Sequence, residues 1–142
     1  MRRIPPLLLL AAAGCAQPAA FEPPVFATLD AVFTLGVGDQ ATIIDAPFQL
    51  RFLSVPADYR CPTDVECVWA GDARVRLQVI GTRTMGPGAD GDAVELHTDL
   101  EPRAATIDGF RVSLERLTPA PHSETQIATR DYVAELRVSR IP

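Results

Sequence analysis

A chain of 142 residues carrying 13 basic and 18 acidic side chains, net charge −5, fits one domain rather than two. A core of that size is viable without help from a metal or a partner subunit. The acidic balance argues against nucleic acid and anionic lipid surfaces as partners of the folded part, because both need a basic patch.

The chain opens with Met1-Arg2-Arg3 and a short apolar run from Ile4 to Ala13. That run has the length of a signal-peptide core and falls far short of the roughly 20 residues a membrane-spanning helix needs. It ends in Ala12-Ala13-Gly14-Cys15. Small residues directly before a cysteine resemble the lipobox of bacterial lipoproteins, although Ala12 stands where that family usually has leucine. The resemblance implies cleavage before Cys15 and a diacylglyceryl group on its thiol. The plain alternative is an ordinary secretory leader. On the lipoprotein reading, residues 1–14 are the signal peptide, and residues 15–29 are the anchor cysteine and a tether. Residues 30–142 are then the folded domain. Pro18, Pro23 and Pro24 favour extended polyproline geometry in the tether. At about 3.1 Å per residue it holds the domain up to about 40 Å from the lipid. Phe21, Val25 and Phe26 give its second half the apolar character of an edge strand.

From Asp30 onward apolar residues recur with a period close to two, the mark of half-buried strands. Phe33, Leu35 and Val37 form the first inward face, and Gly36 to Asp39 turns the chain into a strand through Ala41 and Ile43. Asp45-Ala46-Pro47 turns it again, and Phe48, Leu50 and Phe52 then point inward. Val55-Pro56 is expected to end that strand and enter the stretch Arg60-Cys61-Pro62-Thr63-Asp64-Val65-Glu66-Cys67-Val68-Trp69-Ala70-Gly71.

The three cysteines of the chain sort themselves by destination. With Cys15 lipidated, Cys61 and Cys67 remain as an even pair in an oxidising compartment, where a structural disulfide is the expected state. Zinc would need further ligands at matching spacing. Trp69, two residues after Cys67, is expected on the same side of the chain as the cystine, packed inward as a structural anchor. Arg60 and Glu66 are expected to keep the loop soluble.

After Gly71 the alternation is clean: Ala73, Val75, Leu77 and Val79 face one way and Arg74, Arg76 and Gln78 the other. A Gly-rich connection over 85–92 leads to a strand in which Val94 and Leu96 alternate with Glu95 and His97. Asp108-Gly109 between two β-prone runs marks a two-residue hairpin, because both central residues of a type I′ turn need positive φ. Phe110, Val112 and Leu114 follow. A polar loop through Thr129 precedes a last strand with Tyr132, Ala134, Leu136 and Val138 facing in. About eight short strands and no convincing helix predict an all-β domain, an antiparallel β-sandwich, with a small β-barrel as the alternative.

The stretch Arg60-Cys61-Pro62, Val65 and Cys67-Val68-Trp69-Ala70-Gly71, followed by an alternating strand, resembles a group of small bacterial lipoproteins of unknown function. In that group Asp-Ser-Arg-Cys-Pro usually opens the motif, where this chain has Asp58-Tyr59-Arg60. Leu117 to Pro121 and Asp131-Tyr132 are also similar to that group. The resemblance implies an envelope location and a β-fold, and carries no catalytic residue over.

Glu95, His97 and Asp99 share an alternating face and are the weak candidates for metal ligands or an acid–base group. A solvated outer face is the plainer reading. No hydrolase, zincin or phosphate-loop motif and no cofactor motif is present. The leading functional expectation is therefore a non-enzymatic, envelope-anchored binding or accessory domain. Its domain would sit in the periplasm or outside the cell, on the cell membrane or the outer membrane. Its partners would be the membrane, through Cys15, and an envelope protein. An envelope enzyme with a loop-built, metal-assisted site and a purely structural lipoprotein are the alternatives.

Overall fold

The computed structural model describes residues 23–81 and 91–142. Cys15 and the signal-peptide and lipidation expectations attached to it lie outside the described residues. Among those described, the chain forms nine strands: β1 Val25–Ala27, β2 Val32–Gly36, β3 Gln40–Ile43, β4 Gln49–Asp58, β5 Ala73–Ile80, β6 Ala93–His97, β7 Ala104–Ile107, β8 Phe110–Thr118 and β9 Val133–Arg140. A short 3-10 turn at Thr129–Asp131 precedes the last.

The strands form two open sheets, one in the order β1-β3-β4-β5-β6 and the other in the order β2-β9-β8-β7. The fold is thus the β-sandwich and not the closed barrel. β1 runs parallel to β3, and the remaining pairings are antiparallel.

The period-two pattern explains the layers. Leu50 and Phe52 of β4 and Val75, Leu77 and Val79 of β5 meet Val112 and Leu114 of β8 and Ala134, Leu136 and Val138 of β9. All of these are buried. Each large aliphatic side chain so buried contributes about 1.5–3 kcal/mol. At one end Phe48 and Phe110 pack edge to face, 5.7 Å between centroids, with the Arg140 guanidinium 5.0 Å from the Phe110 ring centre. The β7–β8 hairpin turns through Asp108 and Gly109 at φ 50° and 80°, both positive as a type I′ turn requires.

Two boundaries differ from the sequence expectation. β1 pairs with β3 through Val25–Ala27, so the sheet reclaims residues assigned to the tether over 15–29. β4 does not end at Val55-Pro56 but runs on to Asp58. Proline lacks the ladder N–H and is confined to edges and irregularities. Here the β3 ladder stops at the Gln40–Arg51 pair, and the β5 register shifts between Ser54 and Ala57, so Pro56 costs no central hydrogen bond.

Candidate functional site

The stretch between β4 and β5 forms a loop at the end of the sandwich opposite Phe48 and Phe110. Its stems pair: the Tyr59 amide donates to the Asp72 carbonyl at 2.7 Å, and the Cys61 amide to the Ala70 carbonyl at 2.7 Å. Cys61 and Cys67 form the expected disulfide, S–S 2.07 Å. Gly71 lets the returning chain lie against the outgoing one. Its φ is +77°, and a Cβ there would sit 2.8 Å from Arg60 Cα and closer still to the Tyr59 carbonyl oxygen.

Arg60 fixes the loop to the second sheet. Its Nε and Nη2 donate to the two oxygens of Asp58 at 2.8 and 2.6 Å, Nη1 donates to the Leu117 carbonyl at 2.6 Å, and Nη2 also donates to the Pro119 carbonyl at 2.9 Å. Both side chains are only 11 % exposed. The Tyr132 hydroxyl donates to Asp58 Oδ2 at 2.9 Å. Burial pushes the Asp58 carboxyl up, but the hydrogen bonds and charge of Arg60, aided by Tyr132, outweigh it. Its pKa ends below the ordinary 3.8. Burial, then the adjacent Asp58 carboxylate, pushes Tyr132 up to about 12. Arg60 was expected to face water and solubilise the loop; it turns inward, because Asp58 and two strand-end carbonyls of β8 and its exit offer it four hydrogen bonds.

The tip of the loop is tied down separately. The Thr63 amide donates to the Pro121 carbonyl at 2.9 Å, and the Ser123 amide donates to Asp64 Oδ1 at 2.8 Å. The Ser123 hydroxyl donates to Asp64 Oδ2, and the His122 Nδ1 lies 3.6 Å from that oxygen. The Ser123 hydroxyl and amide hold the Asp64 carboxyl below its ordinary value.

What this framework displays is apolar. Val68 is fully exposed, Trp69 is 61 % exposed, and Tyr59 and Val65 are exposed as well. The expectation that Trp69 packs inward as a core anchor is therefore corrected. The same-side rule for residues i and i+2 holds on a strand, and Val68-Trp69 forms a bend. The core is filled instead by Phe48, Phe52 and Phe110.

Because the loop is held by side chains as well as by its cystine, the bond should matter only modestly. Closing so short a ring is worth about 2–2.5 kcal/mol in the chain-entropy model. Cys61→Ser with Cys67→Ser is expected to lower the melting temperature by several degrees, with Trp69 emission that of an exposed indole before and after. Two free thiols in unreduced wild-type protein would refute the pairing.

The Glu95, His97 and Asp99 trio is rearranged. His97 Nδ1 lies 2.6 Å from Asp72 Oδ2, and its Nε2 lies 3.9 Å from Glu95 Oε1, while Arg74 pairs with Glu95 at 3.4 Å. Asp99 lies beyond the end of β6 and meets Asp72 through its amide, at 3.0 Å, beside the Leu100 amide at 3.2 Å. Asp72 is buried, which pushes its carboxyl up, but the two amides and His97 outweigh that and leave it below the ordinary value. The group therefore fastens the β5 stem to the turn after β6. Among the described residues no three of His, Cys, Asp and Glu gather as a metal site. Sequence reading missed two separate clusters, Asp58 with Arg60 and Tyr132, and Asp72 with His97 and the turn after β6; the signal available was charged residues at both stems of the loop, where the chain leaves and re-enters the sheet.

Searches against protein-family models, curated proteins and solved structures find no match for this chain.

Proposed function

We propose that the chain is a lipid-anchored envelope protein whose β-sandwich is a non-enzymatic binding module, with the Cys61–Cys67 loop as its recognition element. The observation that carries this reading is the outward display of Val68 and Trp69 on a loop fixed at several points. Tryptophan and tyrosine dominate binding energy at protein interfaces, and pre-organised loops lose little entropy on docking. A free, floppy apolar loop would be a hazard; a clamped one is a presentation device. The partner class is an envelope protein. The disulfide supports an oxidising destination, and it leaves Cys15 as the odd cysteine available for lipid.

Two measurements test this. Cys15→Ser is expected to move the full chain from the membrane fraction to the soluble fraction, and labelled fatty acid should appear on wild type alone. A variant that stays in the membrane, beside an unlabelled wild type, would sink the anchor. For the loop, a photo-crosslinking residue at Val68 is expected to give a discrete adduct in the protein's own host, and the same residue at Arg111 on the opposite sheet is expected to give none. Trp69→Ala should abolish the Val68 adduct and leave the melting temperature within about 2 °C, as surface changes of up to about 0.5 kcal/mol do. A Trp69→Ala protein that melts much lower and still crosslinks would return Trp69 to a structural role.

A further inference from the structure

The outer face of the five-stranded sheet carries a second feature, independent of the loop. Ala41, Ile43, Leu50 and Phe52 enter the core, so the residues between them on β3 and β4 face out. Gln40 stands opposite Arg51, and Thr42 opposite Gln49. In the same row as Thr42 and Gln49, Phe26 lies on β1 and Ile80 on β5. The row crosses three strand gaps, about 14 Å at the usual spacing.

The polar side chains form a directed chain. Arg51 Nη2 donates to Gln40 Oε1 at 2.7 Å, Gln40 Nε2 to Gln49 Oε1 at 2.5 Å, and Gln49 Nε2 to Thr42 Oγ1 at 2.9 Å. Arginine has donors only, so Gln40 must turn its oxygen toward Arg51. That choice sets the orientation of both amides in sequence and leaves the Thr42 hydroxyl proton free to point outward. Each amide keeps a second N–H and a second lone pair for a ligand.

Thr42 and Gln49 of this row are shared by two adjoining clefts, while Phe26 stands beside them outside the lining of both. A cleft of about 550 Å³ lies between the Pro23–Pro24 arm, the turn at Gly38 and the Gln40, Thr42 and Gln49 side chains. A second, of about 350 Å³, continues from Thr42 and Gln49 to Pro47 and Ile80. Phe26, 64 % exposed, stands at the Thr42 position of the row.

The chemistry selects the ligand. Arg51 is hydrogen-bonded to Gln40 and Asp39 accepts the Gly36 amide; both keep their charge, but the charges are opposite and leave the face without a net charge to select an ion of either sign. Carboxamides and a hydroxyl offer donor and acceptor side by side, which is what sugar hydroxyls offer in return. An exposed ring beside them suits the C–H face of a pyranose. An extended peptide would seek the backbone groups of a sheet edge, and this is a sheet face. We infer that the groove binds a neutral saccharide, with hydroxyls along Gln40, Thr42 and Gln49 and an apolar ring face against Phe26.

The test uses the full chain in detergent, titrated calorimetrically with neutral β-linked glucose and N-acetylglucosamine oligomers, and mixed with insoluble peptidoglycan in a sedimentation assay. Soluble oligomers and the wall polymer separate a free sugar from a glycan strand as the source. At least one probe is expected to bind. Phe26→Ala and Gln49→Ala should each weaken that binding at least tenfold, with unchanged melting temperature. Trp69→Ala should leave it untouched, which keeps this site distinct from the loop. No binding at millimolar sugar and none to peptidoglycan, wild-type affinity in both groove variants, or preference for an extended peptide would overturn the assignment.

Discussion

Arg60→Ala is expected to destabilise the protein by about 2–4 kcal/mol, somewhat less than removing one partner from a fully buried ion pair, because both side chains keep some exposure. A domain of this kind has about 5–15 kcal/mol in all, so the variant should sit close to unfolding at growth temperature. The cost arises on both sides of the contact. Asp58 is left as a largely buried carboxylate with the residue-60 backbone amide and the Tyr132 hydroxyl as its remaining donors, and the Leu117 and Pro119 carbonyls lose their guanidinium donor. Chemical denaturation of wild type and variant at pH 7 measures the difference. A loss below about 1 kcal/mol would mean that the pair acts like an exposed one.

The pH dependence carries the same signature. In wild type the Asp58 carboxyl is held below its unfolded value, so its stabilising contribution is whole above about pH 4 and is lost as pH falls through the lower folded value. Tyr132 is the mirror case. Its folded value of about 12 lies above the unfolded one, so its contribution is whole below about pH 10 and is lost as pH rises toward 12. In Arg60→Ala the guanidinium is lost while burial, the residue-60 backbone amide and the Tyr132 hydroxyl still act on Asp58, so its depression is reduced. The gap between variant and wild type should therefore be smaller at pH 3 than at pH 7.

Gly71→Ala is the second large effect. Alanine at φ +77° pays backbone strain of about 1–3 kcal/mol. Its methyl group meets the Tyr59 carbonyl and Arg60 Cα, and overpacking of that kind costs about 1–3 kcal/mol more. The neighbours cannot yield cheaply, because they are backbone atoms held by the Tyr59–Asp72 and Cys61–Ala70 hydrogen bonds. The stem is expected to open, with a melting temperature many degrees lower and rapid proteolysis between Tyr59 and Asp72. A variant that melts within about 2 °C of wild type would mean that the two stems do not lie as close as the structure has them.

The strands were legible because their information is local. Leu50 and Phe52, or Val75, Leu77 and Val79, announce their face by alternation alone, and Asp108-Gly109 names its own turn. The disulfide was legible from the count and spacing of cysteines. Trp69 was misread because alternation says nothing once the chain bends. Arg60 was misread for a different reason: its acceptors at Leu117 and Pro119 are backbone carbonyls 57 and 59 residues away. Every residue has a carbonyl, so no letter of the sequence marks these two. Asp72 is the same case, since two of its donors are the amides of Asp99 and Leu100. The amide row on the outer face was hidden by its ordinariness, as glutamine and threonine on an outward strand face read as solvated surface until their register is known.

The Arg60 clamp also ties the placement of the exposed loop to completion of the fold. The disulfide joins residues only 6 apart and can close early, before the later strands have docked. The seat of that closed ring is assembled late. Arg60 needs carbonyls at the end of β8 and just past it, Asp64 needs Ser123, and Asp58 needs Tyr132, 74 residues downstream and at the threshold of the last strand. A truncated or half-folded chain can thus hold its cystine and still fail to hold Val68 and Trp69 in place. Holding the indole in its native place therefore requires that the C-terminal strand has docked; on the proposed reading, a partner that binds it would engage finished molecules and pass over incomplete ones.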